Sequence, residues 1–247
     1  MAYGWRIPFL VGLGVGLGGL AIRRHYVERV PQQMPAKSPV GEAFRSHWRT
    51  MVHLVFLIAG LSVGFYTTFV YSATWLHQIA RVPESRALGI NTAAMALLLV
   101  ISPIAGLASD RYGRRPVLAW AAGGLALLAY PLMTLMARGT PGAIFAGQAG
   151  LAVLIGAAGG ALPAAMAELT PWRVRCTVLS VGYNVGMAVL GGTTPMVATW
   201  LLARSGHSLA PAVYLAGAAV LAFVGAIMLP GAARHGITRE FAAVRLR

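Results

Sequence analysis

Apolar residues in this chain run in long unbroken stretches and do not alternate with polar ones. Seven stretches lack any charged side chain: Ile7 to Ile22, Met51 to Trp75, Leu88 to Ala108, Pro116 to Ala137, Ile144 to Ala167, Thr177 to Ala203 and Ala212 to Leu229. Each approaches the ~20 residues that a helix needs to cross a bilayer, whereas a membrane strand would show about ten alternating ones. Backbone amides in hydrocarbon must find partners within their own segment, so the pattern predicts an all-α integral membrane protein of seven transmembrane helices. The first stretch is the shortest. Arg6 ahead of its apolar core resembles the start of a secretory signal, but Arg23 and Arg24 stand where a small-residue cleavage site is needed, and the stretch is read as a span.

Composition narrows the class further. Of 247 residues 57% are hydrophobic and 11% charged, with 20 Lys+Arg against 6 Asp+Glu and a formal net charge of +14. On a soluble domain this excess would suggest nucleic acid, but here the basic residues only punctuate apolar runs, and no nucleic-acid partner is expected. A single cysteine, Cys176, leaves no internal disulfide and no thiolate metal cluster. No metal or cofactor is expected. Fifteen of the Lys and Arg residues fall in the segments 23–49, 111–115, 173–175 and 234–247, against five (Arg6, Arg81, Arg86, Arg138 and Arg204) on the opposite side. Because positive charge is retained in the cytoplasm during insertion, this bias predicts an outside N-terminus and a cytoplasmic C-terminus. The polar stretch 25–49, with Pro31, Pro35, Pro39 and Gly41, reads as a cytoplasmic linker between a first helix (1–24) and a six-helix bundle (50–230), followed by a cytoplasmic tail (231–247). Pro163 and Pro195 lie within spans and are expected to loosen or kink them.

The strongest local signal is a tight turn between two spans, Gly106-Leu-Ala-Ser-Asp110-Arg111-Tyr-Gly113-Arg114-Arg115-Pro116. Gly106 permits close helix approach, Gly113 permits the turn, and Asp110 at a membrane edge can pair with a cation or a helix N-terminus. A generic positive-inside hairpin also supplies arginines, but it has no need of Asp110 between two glycines. The segment resembles the signature G-x-x-x-D-R-x-G-R-R loop of the major facilitator superfamily. Gly4-Trp-Arg-Ile-Pro-Phe9 with Arg23-Arg24 is similar to the sixth helix of that superfamily's metabolite:proton symporter branch, the proline/betaine and organic-acid carriers. Glu168-Leu-Thr-Pro171-Trp-Arg173-Val-Arg175 resembles the branch's loop between helices ten and eleven. Tyr183-Asn184 and Gly191-Gly192-Thr-Thr-Pro195 resemble helix eleven, and Pro211 with Tyr214 the start of helix twelve. The resemblance implies that the seven spans correspond to helices six to twelve, with helices one to five of a complete carrier having no counterpart here.

Polar groups inside spans are costly and mark candidate contacts with solute or proton. Tyr66, Tyr71, Asn91, Gln148, Tyr183 and Asn184 are the candidates for a central cavity, with a satisfied interhelical hydrogen bond as the competing reading of each. Tyr183 and Asn184 point to different faces of one helix, so one is expected to line the cavity while the other braces a neighbour. No Asp or Glu lies in the middle of a span, so no buried carboxylate proton carrier is visible. Asp110 and Glu168 sit at span ends, where pairing with Arg173, Arg175 or the motif arginines would form a first and a second cytoplasmic gate. His53 and His77, near span ends, are either titratable groups or interfacial ones.

Enzyme signatures are missing: there is no His-x-x-x-His pair on a span, no G-x-S-x-G elbow and no phosphate loop ending in Gly-Lys-Ser/Thr. An enzyme is not expected. The resemblance implies a secondary transporter of the bacterial-type inner membrane, working by proton-coupled symport of a small polar metabolite through alternating access. The alternative is a non-transporting remnant, or a half-carrier that needs a complementary half or a homodimer partner. Membrane lipid, a small-molecule substrate and the proton are the other expected partners. With no Lys or Arg central in any span, a zwitterion held by Trp75 or Tyr66 through cation–π contact is favoured over an organic acid.

Overall fold

A computed structural model describes residues 6–25 and 39–230. The expected tail at 231–247 and most of the linker, 26–38, lie outside the described residues. Contacts divide the chain into two units, Met1–Lys37 and Ser38–Arg247. In the first, α1 spans Ile7–His25, and its apolar run Gly12–Ile22 is shorter than any of the candidate spans that follow.

The second unit opens with a short helix, α2 (Pro39–Ser46), inside the stretch expected to be linker. Pro39 carries no N–H and suits a first helical position, and Ala43 is fully buried, which ties this turn to the bundle. Six helices long and apolar enough to cross a membrane follow: α3 (Trp48–Ala80), α4 (Glu84–Tyr112), α5 (Arg114–Met136), α6 (Pro141–Leu169), α7 (Arg175–Ser205) and α8 (Ala210–Ile227). They match the last six predicted spans, and most extend beyond the predicted ends. At 1.5 Å per residue the 29 residues of α4 reach about 43 Å, past a hydrocarbon core of ~30 Å. No strand occurs among the described residues.

Hydrophobicity does not decide which helices are central, because lipid is as apolar as a leucine side chain. α3 and α6 are the most buried and α4 the least, although their hydropathies are nearly equal. Close approach at small residues sets where the helices cross. Where α6 crosses α4, a Cβ on Gly160 would collide with the Ser102 carbonyl oxygen and come within 2.9 Å of Gly106 N. Where α7 crosses α3, a Cβ on Gly186 would collide with Ile58 Cγ2. Large side chains such as Leu99, Leu107, Leu127 and Met196 point outward instead.

Both α3 and α7 widen into a π turn, at Tyr66–Tyr71 and at Gly186–Gly192. The second precedes Pro195, whose missing N–H and ring disturb the helical ladder one turn back, as the sequence leads one to expect of a proline there. Pro163 lies inside α6 without ending it.

Candidate functional site

Gly113 alone joins α4 to α5, at φ 101°, a backbone conformation that L side chains rarely adopt. The turn therefore sets Arg114 on the first residue of α5, four positions after Asp110. A cation at a helix N-terminus and an acid in a last turn are each disfavoured by the helix dipole, and Glu168, in the last turn of α6, is disfavoured in the same way. The three resolve this jointly. Arg114 Nη2 meets Asp110 Oδ1 at 2.5 Å, and Arg114 Nε donates to Glu168 Oε1 at 3.1 Å. Its third nitrogen, Nη1, donates to Ser109 Oγ at 2.5 Å. One guanidinium thus fastens the α4–α5 turn to the end of α6. Its side chain is 21% exposed, against 61% for Asp110 and 44% for Glu168, so the cation is the enclosed member of the cluster.

The two acids expected to serve separate gates, Asp110 and Glu168, thus share one arginine. Glu168 turns to Arg114, and Arg175 instead donates from Nε and Nη2 to Thr170 O, at 3.3 and 3.2 Å. The cause is local: Thr170 is extended ahead of Pro171, which leaves its carbonyl without a helical partner, and Arg175 supplies one. Arg115 and Arg173 form no salt bridge among the described residues, and Arg111 lies over the Tyr112 ring. Ser109 is the member of the cluster that the sequence reading passed over. Its only signal was its place beside Asp110 within the motif.

A cavity of about 630 Å³ opens between α3, α4, α6 and α7, lined by Phe65, Ser102, Pro163, Met166, Ser180, Tyr183, Asn184 and other, mainly apolar, residues. Met166 places one end of it two residues before Glu168. No charged side chain among the described residues lines it. Tyr183 and Asn184 both line this wall, so the expected division between one lining and one bracing residue does not hold; the π turn that starts at Gly186 directly follows them. Ser102 and Ser180 also line it and were not singled out, although hydroxyls within spans are the signal that marks such positions.

The other four cavity candidates lie elsewhere. Gln148, fully buried, donates from Nε2 to Ser72 Oγ at 2.8 Å and to Thr68 O at 3.2 Å, and lies 3.3 Å from Asn91 Oδ1. Asn91 Nδ2 donates to Phe69 O at 3.0 Å. These amides from α6 and α4 therefore take up carbonyls of the α3 π turn, the interhelical role that competed with the cavity reading. Tyr71 is buried in the same turn, and its hydroxyl, the Thr67 and Thr68 hydroxyls and Gln148 Oε1 have no hydrogen-bond partner among the described residues. Tyr66 packs edge-on against Phe65 and beside Gly191. Trp75 is fully buried and donates its indole N–H to Ser208 O at 2.8 Å, so it offers no ring face to a solute. His53 Nε2 lies 2.7 Å from Gly225 O, and His77 Nδ1 lies 3.2 Å from Val82 O; both histidines tie backbone together.

A tight turn whose partly enclosed arginine ties three helices together, near a neutral cavity, is matched among known proteins by a family of membrane carriers. A sugar (and other) transporter model matches residues 21–237. The chain belongs to that family, within the major facilitator superfamily. It is 30% identical over 245 residues to a proline/betaine transporter of Salmonella typhimurium, covering 93% of this chain and 49% of the relative. It is likewise 30% identical over 244 residues to a glycine betaine/proline/ectoine/pipecolic acid transporter of Dickeya dadantii, covering 93% and 48%. With an ectoine/proline transporter of Corynebacterium glutamicum it shares 24% identity over 261 residues, covering 99% and 52%. The chain thus spans about half the length of these relatives. Its family is one of carriers, not of enzymes, and the six helices long and apolar enough to cross a membrane among the described residues make it a multi-pass membrane protein.

Proposed function

We propose that this chain forms helices six to twelve of a secondary transporter that moves a small zwitterion by proton-coupled symport, in the bacterial inner membrane, with its N-terminus outside and its C-terminus in the cytoplasm. The observation that carries this reading is the neutral cavity of about 630 Å³ that reaches toward the Arg114–Asp110–Glu168 cluster. Such a wall suits a solute with no net charge, since a lone carboxylate would be desolvated there without a cation to meet it. The relatives' names point the same way, being those of proline, betaine and ectoine carriers. The charge cluster at the cavity's end is the closure on the cytoplasmic side: it holds α4, α5 and α6 together until the halves rock apart.

A second reading rests on the half-length coverage and on the exposure of the wall, where Tyr183 is 43% exposed. On that reading this chain acts only when another half, or a second copy, covers this face. The test of transport uses proteoliposomes carrying the full-length product of the locus, an imposed pH gradient, and radiolabelled glycine betaine or proline. Gradient-driven accumulation that a protonophore abolishes is expected. Equilibration without accumulation would remove proton coupling, and no uptake of either solute would remove the zwitterion assignment.

A further inference from the structure

Asn184 and Ser180 lie one turn apart on α7, and both line the cavity. Asn184 Nδ2 donates to Ser180 O at 2.8 Å. A carbonyl only accepts, so this bond fixes the sense of the amide: its nitrogen faces the backbone of α7 and its oxygen faces away. The remaining side-chain polar groups on the wall are the Ser102, Ser180 and Tyr183 hydroxyls, each able both to donate and to accept, whereas an amide oxygen accepts only. Asn184 Oδ1 is the one side-chain carbonyl among them.

A zwitterion presents two ends to such a wall. Its carboxylate takes hydroxyl donors. Its cationic nitrogen, where it bears hydrogens, needs an acceptor, and a quaternary nitrogen has no hydrogen to give and is held by charge and aromatic faces alone. We infer that Asn184 Oδ1 is a specificity-determining acceptor, favouring zwitterions whose nitrogen carries N–H over their fully N-methylated counterparts. This rests on the reading of the cavity as the solute site of a transporter.

The experiment measures KM for L-proline and for N,N-dimethyl-L-proline in proteoliposomes of the full-length product, wild type and Asn184→Leu. The two solutes share a skeleton and differ in the hydrogens on nitrogen. A hydrogen bond to a charged group corresponds to a factor of roughly ten or more, so KM for proline is expected to rise at least about tenfold while that for the dimethyl form stays within about twofold. Parallel changes for both solutes, or none for either, would overturn the inference. Asn184→Ala repeats the comparison with a smaller side chain, and loss of both solutes in both variants would make Asn184 structural and overturn it as well. A wild type that carries neither solute overturns the transport reading and this inference together, whereas a wild type that carries both, with parallel losses in the variants, overturns the inference alone.

Discussion

Arg114 is the central residue of the site, because two ion pairs and a hydrogen bond to a serine converge on one side chain. Ion pairs between exposed groups contribute little, about 0.2–1 kcal/mol each. What sets this arginine apart is its fork, which reaches carboxylates on two helices and a serine at once. A lysine keeps the charge but presents a point donor that does not span both acids. Arg114→Lys is therefore expected to lower the rate of uptake by about tenfold or more while the protein still reaches the membrane in normal amount. Quantifying initial uptake against membrane-fraction abundance checks this, and unchanged uptake would reduce the cluster to a surface ion pair.

Helix positions, and hence the fold class, were legible because bilayer thickness imposes a length on apolar runs. Which face of each helix turns inward was not. Leu127 is 78% exposed and Leu125 fully buried two residues away, and nothing in their chemistry distinguishes them. The glycines carry that information, but only through partners distant in sequence, as Gly160 does with Ser102 and Gly106. The site divides in the same manner. Asp110 and Arg114 were legible because their spacing within one turn is local, whereas the choice of Arg114 over Arg175 by Glu168 depends on the extended residue before Pro171. Gln148 and Asn91 were rightly marked as costly polar groups, yet their placement followed from the π turn of α3, which no local pattern announces. Overpacking at a crossing usually costs about 1–3 kcal/mol, and here the obstacle is backbone, so Gly160→Val is expected to lie at or above that range. Thermal unfolding in detergent should show a clear fall in Tm; an unchanged Tm would mean that α4 and α6 do not meet as described.

At the scale of the whole molecule, the arginine hub is proposed to close one end of a neutral cavity whose wall is formed by α3, α4, α6 and α7. That claim concerns access, so access is what should be measured. In a Cys176→Ser background, a cysteine replacing Ser180 reports on the cavity wall from within. Inverted membrane vesicles expose the face that bears Asp110, under the orientation proposed here, to a membrane-impermeant maleimide. The account predicts that Arg114→Ala raises the labelling rate at position 180 several-fold from that face, and that saturating solute slows it again. Equal labelling rates with and without Arg114 would contradict it, because the cluster would then have no hold on the cavity it adjoins.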